Sequence, residues 1–318
     1  MQKTFKTLEE QVSIMQGKGL IVTDTKEAED ILLRENYFFF NGYRMLFMES
    51  ASNKKFIEGT TFEEVYAMFQ FDRHMRNIIF KNLLIIENNI KSITSYNMSK
   101  HYGIREEDYL NPKNFVSDKK RRKQVDDLLR KMKRQIRING GQHQATMHYI
   151  DKYGYIPFWI VVKILSFGIV SELYQILKPE NQAEIAKDFG VSVEQLIVYL
   201  PILANFRNLC AHEDIVFDHK TERAIPDTEY HNKLKIFKMD DEYIYGKNDM
   251  FSVIIIFKYL LSKDNFRLMM KELEYEIIAE PTKLSSYFDV SNFDKSKYIN
   301  ALNRILFRYM DERMESIM

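Results

Sequence analysis

Arg207 and His212, five residues apart in Arg207-Asn208-Leu209-Cys210-Ala211-His212, carry the two groups that a metal-independent cut in a ribose–phosphate chain needs. An imidazole with an unperturbed pKa of about 6.5 exchanges a proton at neutral pH, so it can serve the ribose 2′-hydroxyl or the leaving 5′-oxygen. A guanidinium stays charged and offers parallel N–H groups to phosphate oxygens. Asn208, next to the arginine, is the third candidate catalytic residue, and the small Ala211 leaves room beside His212. Spacing alone is a weak signal, since chance supplies roughly one such Arg–His match in a chain of this composition. A second match, Arg137 to His143, straddles the helix breaker Asn139-Gly140-Gly141 and is read as accidental. The competing reading is structural: Arg207 pairs with a core carboxylate and His212 caps a helix end, where a protonated imidazole is favoured. His212, Glu213, Asp214, Asp218 and His219 also gather oxygen and imidazole donors, but without a metal-binding spacing such as His-Glu-x-x-His. No metal or other cofactor is expected, and the absence of a Walker loop, a nucleophile elbow and a dinucleotide fingerprint leaves other common chemistries without support.

The elements that must hold these residues are helices. Only 11 Gly and 6 Pro punctuate 318 residues that are 45 % hydrophobic and 29 % charged, which describes a globular all-α chain. Residues 7–17 and 25–34 read as short helices, the second opening on Asp24 with Glu27 three residues on. The aromatic run Asn36-Tyr37-Phe38-Phe39-Phe40-Asn41-Gly42-Tyr43 is either core or interface, with base stacking as the alternative. Thr60-Thr61-Phe62-Glu63-Glu64 begins a long helix to about Lys100, whose apolar residues recur at spacings of three and four except at Asp72. Asp72 and Arg76 suit an i,i+4 ion pair, and Arg73, His74 and Arg76 are alternatively phosphate contacts. Ser117 is expected to cap a helix over 118–139, and further helices are expected at 142–152, 157–165, 168–178, 181–188, 192–210, 249–263, 264–279 and 298–311. Lys235–Met239 and Tyr243–Tyr245 suggest a small hairpin.

Net charge is only +1, yet it is unevenly spread: between Lys119 and Arg137 ten basic side chains face two acidic ones. With Val125, Leu128, Leu129, Met132 and Ile136 forming the apolar stripe, Lys119, Lys120, Arg121, Arg122, Lys123, Arg130, Lys133, Arg134 and Arg137 are left for the surface. They form either a solvated charged face or a polyanion contact, and phosphate backbone is the obvious polyanion. The single Cys210 excludes an intrachain disulfide, a charged N-terminus argues against a secretory signal, and Tyr155–Val170 and Met250–Leu261 are too short to span a bilayer. A cytoplasmic protein without membrane contact is expected.

The pattern Arg-Asn-x-x-Ala-His at Arg207–His212 resembles the signature of the HEPN superfamily of helical ribonucleases and RNA-binding domains. Asn36-Tyr37 with Gly42-Tyr43, Asp72-Arg73-His74-Met75-Arg76, and Leu165-Ser166-Phe167-Gly168 with Leu173-Tyr174 follow the order of the Abi-like bacterial abortive-infection family (AbiD and AbiF type) over residues 5–220. Lys163 stands where relatives often carry an acidic residue. The resemblance implies a HEPN-like multi-helix bundle with an N-terminal helical extension, divided as 1–55, 56–280 and 281–318. It further implies phage defence, association with a small structured non-coding RNA, and endoribonuclease activity in a composite site completed by a homodimer or a second HEPN partner. A non-catalytic protein-interaction or toxin–antitoxin module is the competing function.

Overall fold

The computed structural model describes residues 4–49, 53–234 and 236–287, and these form an all-α protein with one very small sheet. In chain order the helices are α1 (Leu8–Gln16), α2 (Thr25–Glu35), α3 (Tyr37–Gly42), α4 (Phe62–Tyr102), α5 (Glu106–Tyr109), α6 (Arg122–Asn139) and α7 (Gln144–Tyr153). They continue with α8 (Phe158–Ile164), α9 (Phe167–Ile176), α10 (Pro179–Asp188), α11 (Val193–Ala211), α12 (Glu229–Lys233), α13 (Met250–Leu260) and α14 (Lys263–Tyr287). Strands β1 (Lys238–Met239) and β2 (Glu242–Tyr243) pair antiparallel, Lys238 opposite Tyr243, so the expected hairpin is present but only two residues long. The helix expected at 298–311 and Lys235 lie outside the described residues.

The chain forms two units that are not consecutive stretches. One comprises Met1–Ile79, His212–His219 and Arg267–Met318, and the other Phe80–Ala211 and Lys220–Phe266. The reason is α4, a continuous helix of 41 residues that supplies its first half to one unit and its second half to the other.

In the first unit α1 opens on a capping box between Thr7 and Glu10, and Asp24 caps α2 by accepting from the amides of Lys26 and Glu27. Helix α4 begins on a reciprocal pair, Thr61 Oγ accepting from the Glu64 amide and the Glu64 carboxylate from the Thr61 amide. Two residues of the aromatic run, Phe40 and Tyr43, are core: Phe40 stacks on Phe62 at 4.4 Å and Tyr43 meets Phe69 edge-on at 5.5 Å. Phe38 instead is 77 % exposed.

In the second unit the buried residues Leu83, Ile86 and Ile90 continue the α4 stripe, while α9 packs on both α6 and α11, and α11 also meets α10 and α13. Helix α6 starts at Arg122, later than expected, because Asp118 and not Ser117 organises the turn: its carboxylate accepts from the Arg121 amide and its carbonyl from the Arg122 amide. Among the described residues no single helix is long and apolar enough to cross a membrane, and α10 with α11 reaches that length only across a 75° bend.

His231, fully buried, ties α12 to the loop after the hairpin. Its Nε2–H donates to the Gly246 carbonyl at 2.9 Å, which leaves Nδ1 to accept from the Thr228 amide at 3.0 Å and keeps the ring neutral. Burial pushes its pKa down, against the pull of the Gly246 carbonyl. Unfolded histidine takes a proton near about 6.5, and the folded ring refuses it, so this stability is present above that pH and is lost as pH falls below it. Burial depresses His219 in the same direction. The thermal midpoint is therefore expected to fall as pH drops through about 6.5, and His231→Gln should lower the midpoint at high pH and flatten the slope; an unchanged slope in that variant would refute the assignment.

Candidate nucleic-acid interface

Helix α11 is fixed by its buried side chains Leu196, Tyr199, Leu200, Ile202, Leu203 and Phe206, and Arg207 emerges at the edge of that apolar face. Its Nε donates to Oε2 of Glu87 at 3.0 Å, and the other oxygen of Glu87 receives Lys91 Nζ at 2.7 Å. The Glu87 side chain is 7 % exposed and that of Arg207 30 %, so a mostly buried carboxylate holds a partly open guanidinium. Only Nε is used; among the described residues Nη1 and Nη2 have no protein partner and keep the end-on fork that suits a phosphate. The pairing of Arg207 with a core carboxylate is thus present, and it leaves donors to spare. Glu87 was not singled out from sequence. Its signal was the i,i+4 spacing to Lys91 beside the α4 apolar stripe.

Asn208 and His212 are exposed, and neither has a partner among the described residues. His212 is the first residue beyond α11, and Glu213 after it adopts φ 57°, a left-handed conformation uncommon for a residue with a Cβ. The turn is held within the first unit by Asp72, which is completely buried. Its carboxylate accepts from Tyr43 Oη at 2.7 Å, Arg76 Nη1 at 3.2 Å, and the amides of Val216 at 3.2 Å and Phe217 at 2.9 Å. Arg76 also donates to the Asp214 carbonyl at 3.2 Å. Burial pushes Asp72 above the usual carboxylate range against the pull of the Tyr43 hydrogen bond and the Arg76 charge, and burial beside Asp72 pushes the Tyr43 hydroxyl strongly up. A Cβ on Gly42 would come within 2.3 Å of Ile215 Cδ1, which gives the Gly42-Tyr43 pair its physical reason.

These contacts correct two expectations. Arg76 is 2 % exposed and engaged by Asp72 and the Asp214 carbonyl, so it holds the turn and does not present a guanidinium to phosphate. Arg73 grips Glu35 with both terminal nitrogens, at 2.9 and 2.5 Å, reaches Glu213 at 3.4 Å and lies over the Phe69 ring; its charge is largely answered inside the unit. His74 meets Glu276 at 3.1 Å. No group of three His, Cys, Asp or Glu residues that could hold a metal ion exists among the described residues, the His212–His219 segment included.

The basic residues of α6 do reach the surface. Val125, Leu128, Leu129 and Met132 are buried, while Lys119, Lys120, Arg121, Arg122, Lys123, Arg130, Lys133, Arg134 and Arg137 are exposed. At about 100° per residue, Arg122, Lys123, Arg130, Lys133, Arg134 and Arg137 fall within an arc of about 120°, opposite the buried stripe. Arg121 is engaged by Asp118 and the Gln175 carbonyl, Arg130 by Asp127, and Lys131 by Glu172 on α9. Lys119, Lys120, Arg122, Lys123, Lys133, Arg134 and Arg137 have no acidic partner among the described residues. Such an arrangement attracts a polyanion without reading sequence.

The chain belongs to the Abi-like protein family, whose model matches residues 30–218. That span takes in every motif from Asn36 to His212 and ends just past Phe217, the last residue clamped by Asp72. Family membership suggests abortive-infection phage defence. No curated protein and no solved structure matches the chain significantly.

Asp72→Ala leaves the buried Arg76 charge unpaired and should cost about 3–5 kcal/mol in urea unfolding. Tyr43→Phe, which removes one hydrogen bond to a charged acceptor, should cost about 1.5–3 kcal/mol. Equal, negligible losses in both variants would show that the clamp does not hold the turn.

Proposed function

We propose that this Abi-like protein is a cytoplasmic, HEPN-type RNA-handling protein that grips phosphate backbone with the α6 basic arc and cuts it near the end of α11. The observation that carries the reading is this open charge: seven cations without acidic partners among the described residues, five on the arc and Lys119 and Lys120 just before the helix. Charge that could have been neutralised locally, as it is at Lys131, Arg130 and Arg121, is left open where a phosphate chain would lie. The RNA held there is a small structured non-coding RNA, and no membrane takes part.

For cleavage, one imidazole takes the 2′-hydroxyl proton, the 2′-oxygen attacks phosphorus, and the P–O5′ bond breaks as a second proton reaches the 5′-oxygen. The products are a 2′,3′-cyclic phosphate and a 5′-hydroxyl, with no metal required. Arg207, held at Nε, offers its Nη pair to the charge that builds on phosphorus, and Asn208 is placed to assist. One imidazole per chain serves one proton transfer, so a second copy of the chain, or a second HEPN partner, would supply the other. The exposure of Phe38 supports the competing reading, a protein-contact surface in a toxin–antitoxin pair; purified protein free of nucleic acid that captures a protein partner would favour it.

RNA that copurifies with the wild type should carry 2′,3′-cyclic phosphate ends, and His212→Ala should retain the RNA while those ends disappear. Cyclic ends unchanged in the variant would reduce His212 to a surface residue. Replacing Lys133, Arg134 and Arg137 together by Gln should flatten the dependence of log affinity on log salt by about 2 to 3, at about 0.7–0.9 per lost phosphate contact. An unaltered salt slope would place the RNA elsewhere.

A further inference from the structure

Helix α7 in the second unit leaves most of its apolar side chains substantially exposed. Of its residues only Thr146 is buried, while Met147, His148, Ile150 and Tyr153 are exposed and Tyr149 is half-buried. A polar contact secures its start directly after the end of α6: the Thr146 hydroxyl lies within reach of the Gly140 and His143 carbonyls and donates its one proton to either or shares it between them. Three rings then gather without a cover. Tyr149 and Tyr153 lie 5.3 Å apart at 35°, and His148 stands edge-on to both at 5.7 and 6.3 Å. Lys152 places its ammonium 5.3 Å from the Tyr153 ring centre, and the one acid on the helix is the exposed Asp151. The neighbouring α8 carries Trp159, the protein's single tryptophan, 39 % exposed.

Resting on the RNA reading above, we infer that α7 is a stacking platform for unpaired bases of the RNA whose phosphates lie on α6. The two neighbouring helices supply the two halves that single-strand recognition combines, an open cationic track and flat aromatic faces with a cation beside them. Charge complementarity chooses the occupant: the helix immediately before the rings carries Lys133, Arg134 and Arg137 without acidic partners among the described residues, which favours a polyanion. A fully paired duplex keeps its base faces inside its own stack and gains nothing from the rings, so the platform selects single-stranded segments, loops or ends.

Trp159 makes the test direct. A short oligoadenylate with 2′-O-methyl riboses, which lacks the nucleophile for strand cleavage, is titrated into the full chain and compared with the same strand fully paired. Tryptophan emission and anisotropy of a labelled strand are read together. The single strand should bind more tightly than the duplex and quench Trp159. Tyr153→Ala should weaken the single strand by about five- to one-hundred-fold with the salt slope unchanged; Tyr153→Phe should restore affinity, and Tyr153→Leu, apolar but without a π face, should not. Because Tyr153 is exposed, all three variants should keep the wild-type circular dichroism. Salt-dependent binding that is equal for both probes and indifferent to Tyr153→Ala, or rescue by Leu as good as by Phe, would overturn the platform while leaving the RNA reading intact. Failure of both probes and of copurifying RNA to bind would remove the two together. Trp159 emission that shifts with protein concentration alone would give the patch to a second copy of the chain and overturn the inference.

Discussion

The buried carboxylate of Asp72 is the interaction around which the first unit is arranged. An unpaired charge at zero exposure would cost several kcal/mol, so its oxygens must be satisfied, and each partner brings a different segment with it. Tyr43 fixes the turn after α3, Arg76 lies one helical turn along α4, and the amides of Val216 and Phe217 fix the chain that has just left His212. Arg76 extends the clamp to the Asp214 carbonyl, and Arg73 reaches Glu213 from the same helix. Four of the five positions after His212, namely Glu213, Asp214, Val216 and Phe217, are therefore held by neighbours distant in sequence, the left-handed Glu213 among them. Such a conformation persists only when its surroundings over-determine it.

This arrangement explains what was legible in the sequence and what was not. The long α4 helix and the α6 stripe could be read directly, because periodic apolar residues report a buried face whatever they pack against. The break in the α4 stripe at Asp72 was visible too, and its i,i+4 relation to Arg76 suggested the pair that is found. The backbone partners of Asp72 could not be read, since an amide donor leaves no mark on residue type. Arg73 and Arg76 accordingly kept phosphate contact as an alternative reading, although Arg76 is engaged at the turn and Arg73 chiefly by Glu35. Glu87 left a fainter mark, its i,i+4 spacing to Lys91, and its contact with Arg207, 120 residues away in sequence, could not be read. A helix that serves two units likewise shows no composition shift at Ile79.

Arginines in this chain thus fall into two groups, distinguished by how many of their donors the protein consumes. Arg76 and Arg73 are engaged through their terminal nitrogens by carboxylates or carbonyls and hold the structure. Arg207 is held through Nε alone, which fixes its orientation and leaves its outer donors open. An anchored guanidinium loses less conformational entropy on meeting a phosphate than a freely rotating one, because part of that cost is met when the protein folds. The basic residues Arg122, Lys123, Lys133, Arg134 and Arg137 of α6 have no acidic anchor among the described residues, which suits a different task. Mobile surface cations follow a backbone of variable shape and release counterions, without demanding one geometry.

The two sets of cations therefore have different physical requirements. Gripping by α6 is long-range and salt-sensitive, and it tolerates the loss of any one residue because the field is a sum over several charges. A reaction at Arg207 and His212 would be short-range and intolerant, since a misplacement of about 1 Å can cost about a hundredfold in rate. The fold distributes its rigidity in the same way. In one unit the buried Glu87 holds Arg207, and in the other the buried Asp72 holds the residues after His212, whereas the basic arc is backed by the apolar stripe of its own helix. Each carboxylate thus fixes the part of the chain that lies in its own unit, Glu87 the guanidinium of Arg207 and Asp72 the backbone at Val216 and Phe217, through partners that burial makes costly to lose.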